Sequence, residues 1–365
     1  MPSISEEPLP PFSPTTLHQP HNFELGSARE VPESHAWTNL KDHPTVDASG
    51  ADTVPVIDLM GPDPVNLVGR ACEEWGVFQV RGHGIRAEFL DRVEAQIRRL
   101  FALSVEDKLK AARTSDDISG YGLVPISSFF SKLMWSEGFT ISGSPLNHAS
   151  KLWPHDYHQF CDVLDEYNKV MKDLAGKVLH LILQSLGLSE DDVRWAGPVT
   201  TVVQLNSYPA CPDPDRAMGL AAHTDSSLLT VLFQNGVSGL QVLRAADHTG
   251  PTRWVTVPAL PNAFIVNIGD LLHILSNGRL KSVVHRAVVN RKHHRVSAGY
   301  FYGPPAHVKV SPIHKLMGSS RRPAYRAVTW AEYMTLKRKL FDKALQSIKL
   351  PEEKWEEHNS VISCV

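Results

Sequence analysis

Near Thr200 the spacing of apolar residues changes, and this switch limits what the chain can fold into more than any other feature of it. Before the switch, apolar side chains recur at helical intervals. Val68, Ala71, Cys72 and Trp75 fall at i, i+3, i+4 and i+7 behind Asp63-Pro64, which reads as an N-cap and first-turn proline, and Gly76 stops the run before the strand-like Val77 to Val80. Phe89, Val93, Ile97 and Leu100 mark a helix over 87–101, and Ser104 with Asp107 caps a short one after it. The longest helical stripe, Phe160, Leu164, Tyr167, Met171, Leu174 and Val178, runs over 157–186 and ends at Gly187. After the switch come short β-rich runs, 201–208, 228–233, 240–243, 264–268, 282–289 and 295–302, punctuated by Gly, Pro and Asn. Many short strands behind a helical half predict an α+β chain, an antiparallel barrel or jelly roll flanked by helices, rather than alternating βαβ units.

Four regions follow from this pattern. Residues 1–50, rich in Pro, Ser, His and Glu without an apolar period, read as a loosely held leader, and order is expected to begin with the β-rich run Val54 to Leu59. Residues 51–195 form the helical part and 196–310 the jelly-roll core. Residues 311–365 supply a closing loop and a helix that opens at the capping box Thr329 to Glu332 and continues to about Leu350.

With 42% hydrophobic residues over 365 positions, the chain can bury a substantial core. The 37 Lys and Arg nearly cancel the 39 Asp and Glu, so no global field draws it to nucleic acid or to an anionic membrane. The four cysteines, Cys72, Cys161, Cys211 and Cys364, are widely spaced and form no CxxC pair, which favours reduced thiols. No signal peptide and no apolar stretch of bilayer length is evident, so the expectation is a soluble cytoplasmic protein with no membrane partner; oligomeric state is not encoded legibly.

The sharpest local feature is His223-Thr224-Asp225, because residues i and i+2 of an extended segment project to one face and can ligate one metal. Alone, such a pair arises easily by chance among 18 histidines. His285, inside the later β-rich run from Lys281 to Val288, completes two imidazoles and a carboxylate, a facial set that leaves coordination positions open and suits Fe(II) oxygenases; a hydrolytic zinc site is the alternative. Ten residues further on, Arg295-Val296-Ser297 again places two polar side chains at i and i+2. A guanidinium fork with a hydroxyl suits a buried co-substrate carboxylate, against the plainer alternative of a salt bridge to a protein acid. Gln204, Asn206 and Tyr208 share one strand face, either toward this site or toward solvent. Of the other histidines, His293 and His294 fit a solvated basic loop, His273 barrel packing or a local hydrogen bond, and His83 a turn.

Taken together these residues resemble the plant 2-oxoglutarate and Fe(II)-dependent dioxygenases. Ala71 to Val80 with His83-Gly84-Ile85 is similar to that family's amino-terminal signature, and Asn206-Ser207-Tyr208-Pro209-Ala210-Cys211 to its Asn-x-Tyr-Pro-x-Cys element. The resemblance implies a double-stranded β-helix (jelly-roll, cupin-like) core flanked by helices, with Fe(II) on His223, Asp225 and His285. It also implies 2-oxoglutarate on Arg295 and Ser297 with help from Asn206 and Tyr208, O2 as the oxidant and ascorbate as reductant. Ser127 to Ile141, Leu152-Trp153-Pro154, Pro214 to Asp225 and His273 to Gly278 resemble one group within the family, the gibberellin 3-oxidases. That narrower likeness implies hydroxylation of a gibberellin precursor at C3 on its β face, with release of succinate and CO2. It makes Phe129, Phe130, Met134 and Trp135 candidates for lining an apolar substrate pocket, with ordinary core packing as the alternative. The rivals are a gibberellin oxidase acting at C2 or C20, a flavonoid-type oxygenase, and a hormone-binding protein without turnover.

Overall fold

The structure, a computed structural model, describes residues 24–38, 40–47, 53–114, 117–123, 125–193, 198–247, 250–317 and 322–351. Its helical half follows the periodicity closely: α1 is Pro64–Glu74, α2 Ala87–Phe101, α3 Val105–Leu109, α4 Leu146–Leu152 and α5 His158–Ser185. Ser104 caps α3 by accepting the Asp107 amide at 3.1 Å. Asp63 does not cap α1 with its side chain; its carboxylate takes the Asn66 amide instead.

The strands of the two large sheets, in chain order, are β1 Thr45–Val46, β2 Val56–Asp58, β3 Val77–Arg81, β4 Gly120–Gly122, β5 Glu137–Ile141, β6 Thr200–Tyr208, β7 Met218–His223, β8 Leu229–Gln234, β9 Leu240–Arg244, β10 Arg253–Thr256, β11 Phe264–Ile268, β12 His285–Val288 and β13 Arg295–Gly303. They build an eight-stranded sheet ordered β2-β3-β11-β8-β13-β6-β5-β4 and a five-stranded sheet ordered β1-β10-β9-β12-β7. The two face one another as the double-stranded β-helix expected of the second half. The outer face of the larger sheet carries Val203, Leu205, Val231, Val296 and Ala298 and packs on the apolar stripe of α5, Phe160, Tyr167, Met171, Leu174 and Val178. Tyr300 pins this contact, its hydroxyl donating to Asn168 Oδ1 at 2.9 Å. The opposite face of the same sheet, turned toward the smaller one, is where polar side chains collect.

Several expectations need correction. Strands β4, β5, β7 and β10 fall outside the anticipated runs: β7 is Met-Gly-Leu-Ala-Ala-His, without the β-branched content that marks a strand locally, and β5 opens on Glu-Gly with only Phe-Thr-Ile behind it, so both depend on the partner strands that pair with them. The run 282–289 shortens to His285–Val288, with register shifts against β7. Residues 24–38 and 40–47 of the anticipated loose leader lie against the rest of the protein, with Leu25, Val31 and Ala36 buried beside Trp135, Cys211, Ala217 and Val289. Thr45–Val46 adds parallel to β10, and Asp42 pairs with Arg286 at 3.2 Å. Their apolar residues show no period because the segment runs over the surface in 3₁₀ turns and extended chain; residues 1–23 lie outside the described residues. The closing helix is interrupted. After a loop stretch with the one-turn α7 (His314–Met317), α8 is Trp330–Leu340 and stops at Phe341, whose φ of 48° breaks the α-helix, before a 3₁₀ turn (Phe341–Lys343) and the short α9 (Ala344–Ser347). Thr329 caps α8 as foreseen, accepting the Glu332 amide at 3.1 Å. Among the described residues no helix is long and apolar enough to cross a membrane.

Gly76 shows how closely the halves are fitted. It has φ +70° at the end of α1, and a Cβ there would collide with the Lys281 carbonyl. Gly76→Ala is therefore expected to lose about 1–3 kcal/mol from backbone strain alone, with the clash adding to it, read as a lowered midpoint in urea unfolding.

Candidate metal and co-substrate site

His223 ends β7 and His285 begins β12, and the two are register partners across neighbouring antiparallel strands. Their ring centroids are 4.3 Å apart. Asp225 lies two residues past the end of β7, not within one continuous extended segment as the spacing suggested, and the turn brings its Oδ1 to 3.7 Å from Nε2 of both histidines. One donor atom from each residue lies within 4.8 Å of the other two, and His285 and Asp225 are buried. Each imidazole faces a carbonyl two residues back: His223 Nδ1 donates to Ala221 O at 2.8 Å and His285 Nδ1 to Val283 O at 3.2 Å. A carbonyl can only accept, so the proton sits on Nδ1 and the Nε2 lone pair turns into the cluster.

Burial, reinforced by the neighbouring His285, holds the His223 pKa well below its ordinary value and keeps the ring neutral. For Asp225 burial opposes ionisation, but the two imidazoles, a hydrogen bond from Thr230 and the charge of Lys337 outweigh it, and its pKa lies below the usual carboxylate value. Two imidazole nitrogens and one carboxylate in this cluster form a donor set that fits a ferrous ion and leaves part of its sphere open.

Arg295 and Ser297 on β13 stand opposite Tyr208 and Asn206 of β6, and Ser297 stands opposite Gln234 of β8. All five are buried, so the polar alternation of β6 turns inward, not toward solvent. Arg295 donates through Nη2 to Gln234 Oε1 at 2.9 Å and lies 4.9 Å over the Tyr208 ring. Its Nε and Nη1 are buried without a hydrogen-bond partner, and burial pushes its pKa down. A planar cation with two unfilled donors in a closed pocket fits a carboxylate supplied from outside. Gly239 leaves room for it, since a Cβ there would come 2.8 Å from Arg295 Cδ.

One buried carboxylate that the sequence left unassigned braces the cluster. Asp270, at the start of α6 (Asp270–Leu275), is fully buried. Its Oδ2 accepts from Thr224 Oγ1 at 3.1 Å and Tyr333 OH at 2.8 Å and pairs with Lys337 Nζ at 2.9 Å, while Oδ1 accepts from Ser282 Oγ at 2.7 Å. Its backbone N–H donates to Asp225 O at 2.8 Å, and Lys337 also donates to Thr224 O at 3.1 Å. Thr224 separates two members of the cluster and Ser282 precedes the third by three residues, so this carboxylate ties both segments to α8. Tyr333 and Lys337 sit at i and i+4 on α8, a spacing that was available in the sequence but had no partner to point at.

The four pocket candidates divide. Met134 is buried with Met218 and Ala221, and Phe130 packs against that group with Trp37 and Leu220. Phe129 stacks on Phe341 with centroids 4.7 Å apart, and Phe130 meets the same ring edge-on at 5.5 Å. Trp135 does not join them; neighbours in extended chain face opposite ways, and it is buried beneath the amino-terminal segment against His35. Trp135 thus packs in a different cluster from Met134 and Phe130. His273 makes the local bonds anticipated, to Leu280 O at 2.6 Å and Tyr325 OH at 2.8 Å, and His83 holds its turn through the Ile85 amide. His294 departs from the solvated-loop expectation, being half-buried and bonded to Ser207 Oγ at 2.9 Å, whereas His293 is exposed.

Residues 200–304 match the 2OG-Fe(II) oxygenase superfamily, and residues 54–160 match the amino-terminal region of non-haem dioxygenases described from morphine synthesis. The chain belongs to the 2OG-Fe(II) oxygenase superfamily, whose members use Fe(II) and 2-oxoglutarate. Within it, the chain is 48% identical to gibberellin 3-beta-dioxygenase 1 of Pisum sativum, over 96% of this chain and 94% of that protein. It is 50% identical to gibberellin 3-beta-dioxygenase 2-3 of Triticum aestivum, over 92% and 95%. Among solved structures it resembles JOX2 in complex with 2OG, Fe and JA, with a TM-score of 0.76, 30% identity and coverage of 89% of this chain and 95% of that one. It also resembles the rice dioxygenase for auxin oxidation, with a TM-score of 0.67, 28% identity and coverage of 81% and 100%.

The Asp270 network yields a prediction that needs no turnover. Lys337→Met leaves a buried carboxylate unpaired and is expected to cost on the order of 3 kcal/mol in urea unfolding of the metal-free protein, a loss largely recovered in the Asp270→Asn/Lys337→Met double variant. Asp270→Asn alone is expected to weaken Fe(II) binding by about 10- to 100-fold in an anaerobic titration.

Proposed function

We propose that this chain is a gibberellin 3-beta-dioxygenase, hydroxylating gibberellin precursors at C3 on the β face while 2-oxoglutarate is converted to succinate and CO2. The observation that carries the reading is similarity at 48% identity along 96% of the chain to a protein of that name, supported by the clustering of His223, Asp225 and His285. Bound Fe(II) with 2-oxoglutarate supplies the oxidising power, coupling O2 reduction to decarboxylation and to hydroxylation of one C–H bond.

The chain's own residues would divide the remaining tasks. His223, Asp225 and His285 hold the metal by one face. Arg295 and Ser297, helped by Tyr208 and Asn206, hold the distal carboxylate of 2-oxoglutarate and so fix which way its other end points. The low pKa of His223 means that protons do not compete for Nε2 near neutrality. Met134, Met218, Ala221 and Phe130 give the site an apolar wall that excludes water and suits a multi-ring hydrocarbon skeleton. Phe129 and Phe341 lie at its edge. A reducing cytosolic setting fits the free thiols Cys72, Cys161 and Cys211, all buried, with burial pushing the Cys211 thiol up to about 11.

Incubating the protein with Fe(II), 2-oxoglutarate and a panel of gibberellin precursors, with products identified by mass spectrometry, tests the reading. A 3β-hydroxylated product is expected; hydroxylation confined to C2, oxidation confined to C20, turnover of flavonoids only, or no 2-oxoglutarate consumption with any precursor would each overturn it. Arg295→Lys is expected to raise the KM for 2-oxoglutarate by at least about tenfold, since an ammonium cannot reproduce the two-pronged contact. An unchanged KM would remove Arg295 from the co-substrate role.

A further inference from the structure

Strand register lays a continuous inward-facing floor across four strands of the larger sheet. One row runs Gly122, Gly138, Asn206, Ser297 and the next runs Gly120, Thr140, Gln204, Gly299, residues paired directly from β4 through β5 and β6 to β13. Paired residues project to the same face, so the end of the floor remote from Arg295 is made of glycines and one threonine. A guanidinium reaches onto that end. Arg113, in the loop after α3, passes beside Gly122, whose added Cβ would lie 3.8 Å from Arg113 Cβ. It donates through Nη2 to Thr140 Oγ1 at 2.6 Å and through Nη1 to Leu123 O at 2.8 Å. Thr140 in turn donates to Gln204 Oε1 at 2.6 Å, and Gln204 Nε2 donates to Asn206 Oδ1 at 3.1 Å, so a polar chain connects this arginine to the co-substrate pocket.

Among the described residues this cation has no ion pair, and its Nε is buried without a hydrogen-bond partner. The closest acid with an electrostatic effect on it, Asp117, is exposed and uses Oδ1 on the Ser119 amide. Other cations around the interior are committed: Lys337 to Asp270, Arg286 to Asp42 and Gln241, Lys108 to Glu137 on the opposite face of the sheet. A guanidinium enclosed in this way without a counter-charge is costly unless an anion arrives with a ligand. Two strand spacings of about 4.8 Å separate Thr140, where the guanidinium is held, from the Ser297 strand, leaving room for a rigid multi-ring body between two carboxylate sites.

We infer that Arg113, braced by Thr140 and Gln204, binds the carboxylate of the substrate, so that a hydrophobic acid is held by its charged end with its ring system lying over the glycine floor toward the metal cluster. This rests on the function proposed above and adds the residue that sets the substrate's orientation. Arg113 is then a specificity-determining residue: it selects ring systems carrying an anion and rejects their neutral esters.

Affinity measured without turnover tests this. The wild type, Arg113→Gln and Arg113→Lys, each loaded anaerobically with Fe(II) and 2-oxoglutarate, are titrated with a gibberellin precursor acid and with its methyl ester, following the perturbation of the visible charge-transfer band. The wild type is expected to prefer the acid by about 10- to 100-fold, the value of a charge-assisted contact. Arg113→Gln should reduce that ratio to near one, and Arg113→Lys should restore part of it. Using the ratio within each protein removes any general loosening of the loop at Leu123. If the acid binds the wild type but Arg113→Gln keeps the full preference for it, or if the wild type does not distinguish acid from ester, the carboxylate role is overturned while the proposed function stands. If neither compound binds the wild type, the gibberellin reading fails and this inference fails with it.

Discussion

Everything in the site depends on the antiparallel pairing of β7 with β12, which puts His223 directly opposite His285. Two imidazoles on adjacent strands are close enough to share a metal without any loop having to fold back, and their Nδ1 protons are fixed by carbonyls of their own segments. Only the carboxylate requires a turn. That turn is where the structure invests its buried polar contacts, with Asp270 bound to Thr224, Ser282, Tyr333 and Lys337. The regular sheet supplies the nitrogen ligands and an irregular, heavily hydrogen-bonded corner supplies the oxygen one.

The same sheet separates its two faces by chemistry. Apolar residues of β6, β8 and β13 meet α5 on the outside, while Gln204, Asn206, Tyr208, Arg295 and Ser297 gather on the inside. A buried polar face of this kind is unstable unless its groups are satisfied. Here most are satisfied by one another, and the exceptions are arginine nitrogens of Arg295 and Arg113, together with a few amide and ring atoms. Unfilled guanidinium donors on Arg295 and Arg113 are what the two proposed carboxylate sites have in common, one for the co-substrate and one for the substrate.

Much of this was legible in the chain because it is local. The helix stripes, the spacing within Arg-x-Ser and the alternation through Gln204, Asn206 and Tyr208 encode geometry within a few residues, and the structure keeps these, whereas His-x-Asp stays together across the end of β7 rather than within it. What the sequence concealed is non-local. Asp270 and Lys337 look like ordinary surface charges until α8 folds across the corner. Trp135 looks like its neighbour Met134 until alternation sends them to different clusters. The strand β7 is identifiable only through its partners, and Leu25, Val31 and Ala36 acquire meaning only from the surface they cover. Arg113 is one of many arginines by sequence; the register of three neighbouring strands makes it distinctive.

The attachment of α8 to Asp270 has a consequence for the order in which the protein becomes competent. The elements carrying the nitrogen ligands are synthesised well before Tyr333 and Lys337, so a chain emerging from the ribosome can complete its sheets while the corner that holds the carboxylate still lacks its last braces. A molecule in which α8 has not yet docked is therefore expected to retain metal poorly, because Asp270 then lacks Tyr333 and Lys337. Loss of that helix by proteolysis would remove those braces together with Trp330 and Tyr333, which belong to the main core, so that metal retention and stability would fall together.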